Sequence, residues 1–341
     1  MSGLLNKLFG GRSAPKAAPR RPTSRLEVER LDERLLLSAT GHVSQVVDHN
    51  GDVVAFFIDR NGVLERSVNG GAAQAVDPWG CHCDQQVSAG TDAYGNAVAY
   101  VRNGYGSLWQ IGWGWGGSLY ETHIGDNVTS FSAVMGTVWG GTQGGVYFIG
   151  NGYDILYQNG YYQGLSGGQY DQQISAGTDQ NGYSVAYVLN RFNRDVYERY
   201  ANGSFSGDLT NCGCTTQVVG SVKGYFYTND DARDVFVHNG YAYRFLEGNV
   251  TQLSAGTDYY GNSTVDLLRP VFWFDTEVDQ FDAGPNGPYS NGWYSNPYRI
   301  ASNMTEIAAG SNGFDYYVDW SSQLHVNDPW GNDWVIGWNA Q

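Results

Sequence analysis

The sequence predicts an all-β protein, a β-propeller of seven blades of about 44 residues each, with six blades as the alternative count. Three observations predict it. The 341 residues include 47 Gly, 25 Tyr, 11 Trp and 14 Phe, while charged residues make up only 16 %, a balance that favours turns and strands over solvated helix. Three segments, QQVSAGTDAYGNAVAYV from Gln85, QQISAGTDQNGYSVAYV from Gln172 and TQLSAGTDYYGNSTVDL from Thr251, are nearly superimposable. Weaker copies fall between them, so that phase marks at Ser44, Ser88, Ser132, Ser175, Val218, Ser254 and Ala308 recur with a mean spacing of 44. A period of about 40 to 45 residues suits a blade of four antiparallel strands.

The chain divides into a basic leader, 1–38, and the propeller domain, 39–341. Residues 1–40 carry eight basic and four acidic side chains, and the remainder has a net charge of −19 with Lys223 as its only lysine. An acidic body repels phosphate, which argues against nucleic acid and anionic membrane surfaces as partners. No run of about 20 apolar residues is present, so no segment reads as a transmembrane span. The leader mixes Gly, Pro, Ala and Arg with few apolar residues and is expected to be disordered.

Within each unit the first strand ends in an Asp-Gly turn, as at Asp92 to Gly95 or Asp179 to Gly182. The second strand is β-branched and aromatic: Val54 to Phe57, Val98 to Val101, Val185 to Val188. A polar turn such as Asp59 to Gly62 leads to a third strand, as in Leu108 to Gln110 or Val196 to Glu198, and the fourth is least regular. Only 34 residues remain from the mark at Ala308 onward, so the last unit reads as incomplete, with residues 39–43 available to complete it. The long spacing after Ser254 marks an insertion at Phe281 to Tyr298.

Two resemblances follow. LDERLLLSA, Leu31 to Ala39, resembles the LEPR-XLL segment near the N-terminus of many extracellular proteins of planctomycete bacteria, departing from it at Asp32 and Glu33. That likeness implies export, to the cell envelope or the exterior. The repeat resembles the tectonin or tachylectin-like propellers, whose blades read roughly SAGxDxxGxxxVFAxxxDGxLY. It implies carbohydrate or glycoconjugate binding.

Candidate site residues come from three places. Trp109, Trp113 and Trp115 stand in a Gly-rich run that leaves indole faces available to stack on sugar rings, or else to pack between blades. The insertion is preceded by Asp275, Glu277 and Asp279 and contains Trp293 and Tyr294, an acidic and aromatic loop suited to binding a sugar. Cys81, Cys83, Cys212 and Cys214 form two Cys-x-Cys pairs, expected in disulfides of unknown pairing in an exported protein; zinc ligation or free thiols are the other readings. Asp48, Asp92, Asp179 and Asp258 share one phase, either as turn residues or as ligands of Ca²⁺, the one cofactor left open; no metal site is assigned. Asn127, Asn249 and Asn303 match glycosylation sequons, but each lies five residues before a mark and is explained by the repeat.

No His setting, phosphate loop or nucleophile motif points to catalysis. The expectation is therefore a binding module that is not an enzyme, with a glycan or a surface protein as partner. The alternatives are a structural or protein-interaction propeller on the cell surface and a carbohydrate-active enzyme using Asp275 and Glu277.

Overall fold

The computed structural model describes residues 42–341 except 77–82, 115–116, 139–142, 166–169, 180, 203, 211–212, 230–232, 239–242, 258–261, 273–274, 283–297, 311–312 and 339–341. The basic leader and its LEPR-XLL-like segment therefore lie outside the described residues, as do Trp115, Trp293, Tyr294, Cys81, Cys212 and Asp258. The described strands form seven four-stranded antiparallel sheets, each built from four strands consecutive in sequence. These are seven blades, over residues 43–75, 84–125, 128–164, 171–208, 215–247, 252–302 and 304–338.

The count of seven settles the alternative of six. Blade 7 is not incomplete: the strand Asp333–Trp338 closes it from within the same unit, and Val43–Val47 is the first strand of blade 1. Tight turns make this feasible, since the 34 residues from the mark onward suffice for three hairpins. The surplus in blade 6 falls at 283–297, between the third strand, Asp275–Asp282, and the fourth, Tyr298–Ser302, so Phe281 belongs to a strand.

Each second strand is apolar on both faces because both are covered. Val54, Phe56 and Ile58 pack toward blade 2, whereas Val53, Ala55 and Phe57 pack toward blade 7. All six are buried. The core is thus a ring of apolar layers between blades, and truncating one such ring, Phe56→Ala, costs about 3–5 kcal/mol.

The repeated SAG-T-D residues have structural work. The mark serine of one blade accepts the backbone N–H of the residue after the mark in the next: Ala89 to Ser44 Oγ at 2.9 Å, Ala133 to Ser88 at 3.0 Å, Ala176 to Ser132 at 3.0 Å, Gly220 to Ser175 at 2.9 Å and Ala309 to Ser254 at 2.9 Å. Each is worth about 1 kcal/mol. This places the fifth mark at Val219, one residue beyond Val218. The glycine two residues later permits the inner strands to converge: a Cβ on Gly256 would stand 2.0 Å from the Gly310 carbonyl oxygen, and one on Gly177 would stand 2.9 Å from the Ser221 backbone. Ser, Ala and Gly residues of the inner strands, with a few larger ones such as Gln45, Met135 and Gln252, line an axial cavity of 180 Å³.

Two junctions, blade 5 to 6 and blade 7 to 1, have Val219 and Ala308 where the serine would be. The ring closes between blades 7 and 1 through other contacts. The His42 backbone N–H donates to Glu306 Oε1 at 2.6 Å and its Nδ1 lies 3.0 Å from Oε2. Trp334 Nε1 donates to the Gly70 carbonyl at 3.2 Å, and Arg60 donates to the Ser322 hydroxyl.

Candidate functional site: a tyrosine-lined pocket between blades 2 and 3

The residues singled out from sequence are spread over the ring. Trp113, at the end of the strand Leu108–Trp113, wedges between blades 1 and 2, stacked on Phe56 at 6.0 Å with the Arg66 guanidinium 4.2 Å over its ring. Trp109 is part-buried with its ring 4.7 Å from His123. Glu277 and Asp279 are buried in blade 6, where Arg269 bridges them at 3.2 and 2.5 Å and Arg299 also contacts Glu277. Asp275 opens the same strand. The structure therefore separates these acids, in blade 6, from Trp109 and Trp113, in blade 2.

The Asp series makes Asx turns. Asp92 Oδ1 accepts the backbone N–H of Tyr94 at 2.8 Å and of Asn96 at 2.9 Å, and Asp48 and Asp179 do the same two and four residues on. Among the described residues no group of three or more His, Cys, Asp or Glu side chains could hold a metal ion. Cys83 and Cys214 lie directly before or within the entry to blades 2 and 5, and neither is a free thiol. Asn127, Asn249 and Asn303 have φ of 53°, 60° and 61°, a left-handed conformation that Asn tolerates, which accounts for their recurrence without glycosylation.

A site that sequence reading did not single out lies between blades 2 and 3, a cavity of 270 Å³. Asp92, Ala93 and Tyr94 enter it from the first turn of blade 2, Tyr100 from the second strand (Ala97–Asn103), Gln110 from the third, Tyr120 and Thr122 from the fourth (Leu119–Gly125). Blade 3 supplies Gly145, Tyr157 and Asn159. Strand alternation aims Tyr100 at blade 3, where its hydroxyl accepts the Gly145 N–H at 3.2 Å. Gln110 Nε2 donates to the Tyr120 hydroxyl at 3.2 Å, which in turn reaches Asp92 Oδ2 at 3.5 Å. Tyr157 is braced by Tyr162 at 5.1 Å, whose hydroxyl donates to the Ile124 carbonyl at 2.8 Å. Tyr94 stands at the rim, 85 % exposed.

Burial raises the phenols of Tyr100, Tyr120 and Tyr157 above the ordinary range, with the Asp92 charge adding to the rise at Tyr100 and Tyr120. The rings are therefore neutral, and Asp92 is the one acidic side chain in the described lining. An arrangement of ring faces, two amides and one carboxylate can bind an amphipathic, hydroxylated or cationic small group.

The pocket exists because blade 3 departs from the repeat. Its first two strands, Val128–Ala133 and Val146–Gly150, are joined through 134–145 instead of a five-residue Asx turn, with Gly144 and Gly145 at φ 77° and 123°. At three other junctions described side chains occupy the corresponding place. Trp113 occupies it between blades 1 and 2, and Tyr187 meets Tyr225 at 4.7 Å between blades 4 and 5. Between blades 6 and 7, Gln280 donates to both Asp266 and Asp315 at 2.8 Å. Comparing units position by position, with Gln110 against Arg66 and Glu198, is the signal that could have found the site.

No family model and no curated protein matches the chain. Solved structures do. BBS1N, in complex with ARL6DN, aligns at a TM-score of 0.58 with 11 % identity over 85 % of this chain and 92 % of that one. Puromycin hydrolase aligns at 0.52 with 12 % identity over 90 % of this chain and 55 % of its own. The Cps50 (Swd1) β-propeller domain of Myceliophteria thermophila aligns at 0.51 with 9 % identity, covering 84 % and 94 %. These likenesses are of fold, and the protein is a seven-bladed β-propeller. Because a hydrolase shares this fold, the expectation that the chain is not an enzyme is corrected: the architecture does not exclude catalysis. No helix among the described residues is long and apolar enough to cross a membrane.

Proposed function

We propose that the protein is an exported, carbohydrate-binding β-propeller that takes its ligand in the pocket between blades 2 and 3. The observation that carries this reading is the meeting of four tyrosines with Asp92, Gln110 and Asn159 in one cavity. Ring faces suit the C–H side of a sugar, while the amides and carboxylate suit its hydroxyls. At 270 Å³ the cavity fits about one saccharide unit, so weak affinity per site is expected. Export to the envelope or exterior is supported by the LEPR-XLL-like leader, and disulfide use of the four cysteines fits an oxidising compartment. A glycan array run with the wild type and with Tyr120→Ala tests the reading. Binding lost in the variant supports it; no binding by the wild type sinks it.

A second reading, a protein-interaction propeller, is favoured by the opposite face. There the turns between second and third strands expose Tyr105, Phe192 and Trp320 at 83 %, 68 % and 51 %. Capture of a protein partner that survives Tyr120→Ala but not Phe192→Ala would establish it.

A further inference from the structure

The geometry points to a ligand with a protonated or quaternary ammonium group as the occupant of the pocket between blades 2 and 3. On the glycan reading above, on which this identification of the sugar rests, the ligand is an amino sugar with a free amine. Three observations lead there. The cavity is lined by Asp92, four tyrosines and two side-chain amides, and among the described residues its lining contains no Lys, Arg or His. Aromatic rings and a carboxylate lining one space suit a cation attracted to π systems.

The neighbouring junction then shows what the fold does with such a space. Arg66 stands opposite Phe56 in the ladder of blade 1, as Gln110 stands opposite Tyr100 in blade 2, so the two positions are equivalent. Between blades 1 and 2 the Arg66 guanidinium lies 4.2 Å over the Trp113 ring, and Asp48, the counterpart of Asp92, attracts it electrostatically. The protein thus fills one acid-and-aromatic junction with its own cation. Between blades 2 and 3 the same position is the neutral Gln110, and the space beside it is open. The surroundings reinforce the choice, since the chain beyond residue 40 has a net charge of −19. Asp92 has hydrogen-bond donors on both oxygens, Asn96 Nδ2 lying 2.9 Å from Oδ2, but no cation among the described lining residues, which an ammonium group would supply and a neutral N-acetyl group would not.

Calorimetric titration of the full-length protein with a glucosamine tetramer, an N-acetylglucosamine tetramer and choline tests this. The glucosamine tetramer and choline should bind about tenfold or more tightly than the neutral tetramer. Asp92→Asn keeps the Asx turn, as Asn103 does for Tyr105 and Ser107 in this chain, and should weaken both ammonium probes about tenfold. Gln110→Arg should recreate the junction of blades 1 and 2, abolishing binding with the melting temperature preserved. Equal binding of the two tetramers, or ammonium affinity unchanged in Asp92→Asn, overturns the ammonium assignment and leaves the glycan reading standing. Choline binding with neither tetramer bound upholds the ammonium and overturns the glycan reading; no binding of any probe overturns both.

Discussion

Closure of the ring by His42 and Glu306 predicts a stability that depends on pH. This junction joins the two ends of the propeller and has Ala308 where five other junctions have a latching serine, so the carboxylate of Glu306 holds together what the repeat does not. It accepts both the His42 backbone N–H at 2.6 Å and the ring at 3.0 Å. Burial alone would lower the imidazole, but the hydrogen bond and opposite charge of Glu306 more than reverse this, and the His42 pKa is raised above 6.5. A histidine raised in the folded state binds its proton more tightly there than in the unfolded chain. Its contribution is therefore complete below about 6.5 and is lost as pH climbs through the folded value. Glu306→Gln keeps the size and one acceptor but removes the charge, a loss of about 1–2 kcal/mol from two bonds to one carboxylate. For a domain this large that lowers the melting temperature by about 3 °C at pH 6. Scanning calorimetry at pH 6 and pH 9 should show the gap between wild type and variant narrowing at the higher pH. A His42→Ala, Glu306→Gln double-mutant cycle should give a coupling energy that shrinks in parallel. A gap equal at both pH values, or no coupling, would refute the reasoning.

Two other predictions concern residues away from the pocket. Gly256→Ala places a Cβ 2.0 Å from the Gly310 carbonyl and should cost about 3 kcal/mol by urea denaturation, whereas Gly51→Ala, at φ 84° with open space around it, should cost about 1 kcal/mol. Asp154 is buried beside Asp171 with Arg199 opposing, and its carboxyl is pushed up to about 9 by burial and then by Asp171. The folded state thus holds a proton that the unfolded chain releases near 3.8, so this site loses stability as pH rises from about 4 to 9. Asp154→Asn should melt above the wild type at pH 8 and lose that advantage at pH 4; a wild type that is the more stable at pH 8 would contradict the assignment.

How much of this was legible in the sequence follows from what each repeated residue does. Ser88, Gly90 and Asp92 recur because every blade needs a latch, a close approach at the axis and an Asx turn, and so blade number and phase could be read from them. The same necessity kept the best-preserved letters silent about function. Trp113 looked open because its neighbours in sequence are glycines, but the ring is covered by Phe56 and Arg66, some 50 residues away. Glu277 and Asp279 read as free to bind a sugar because their partner Arg269 lies on the adjacent strand, a pairing that strand register alone reveals. The fifth mark slipped by one residue, since Val218 and Val219 are alike in composition and only the Gly220 to Ser175 bond tells them apart.

Function in this fold is thus to be sought where blades disagree. The ladder partner of the second strand's central aromatic is Arg66 opposite Phe56 in blade 1, Gln110 opposite Tyr100 in blade 2, Leu156 opposite Tyr147 in blade 3 and Glu198 opposite Tyr187 in blade 4, so one structural position is cationic, neutral polar, apolar and anionic in turn. In blades 3, 5 and 7 the position is apolar, held by Leu156, Val237 and Val326, so the polar and charged versions are the ones that depart from packing. The cationic version is satisfied internally by Trp113 and Asp48, and the anionic version is drawn to the Tyr187 hydroxyl at 3.4 Å. The neutral version is the one beside an open cavity, with the carboxylate of Asp92 and four tyrosines already in place around it. An external cation there would restore the charge balance that Arg66 provides one junction away.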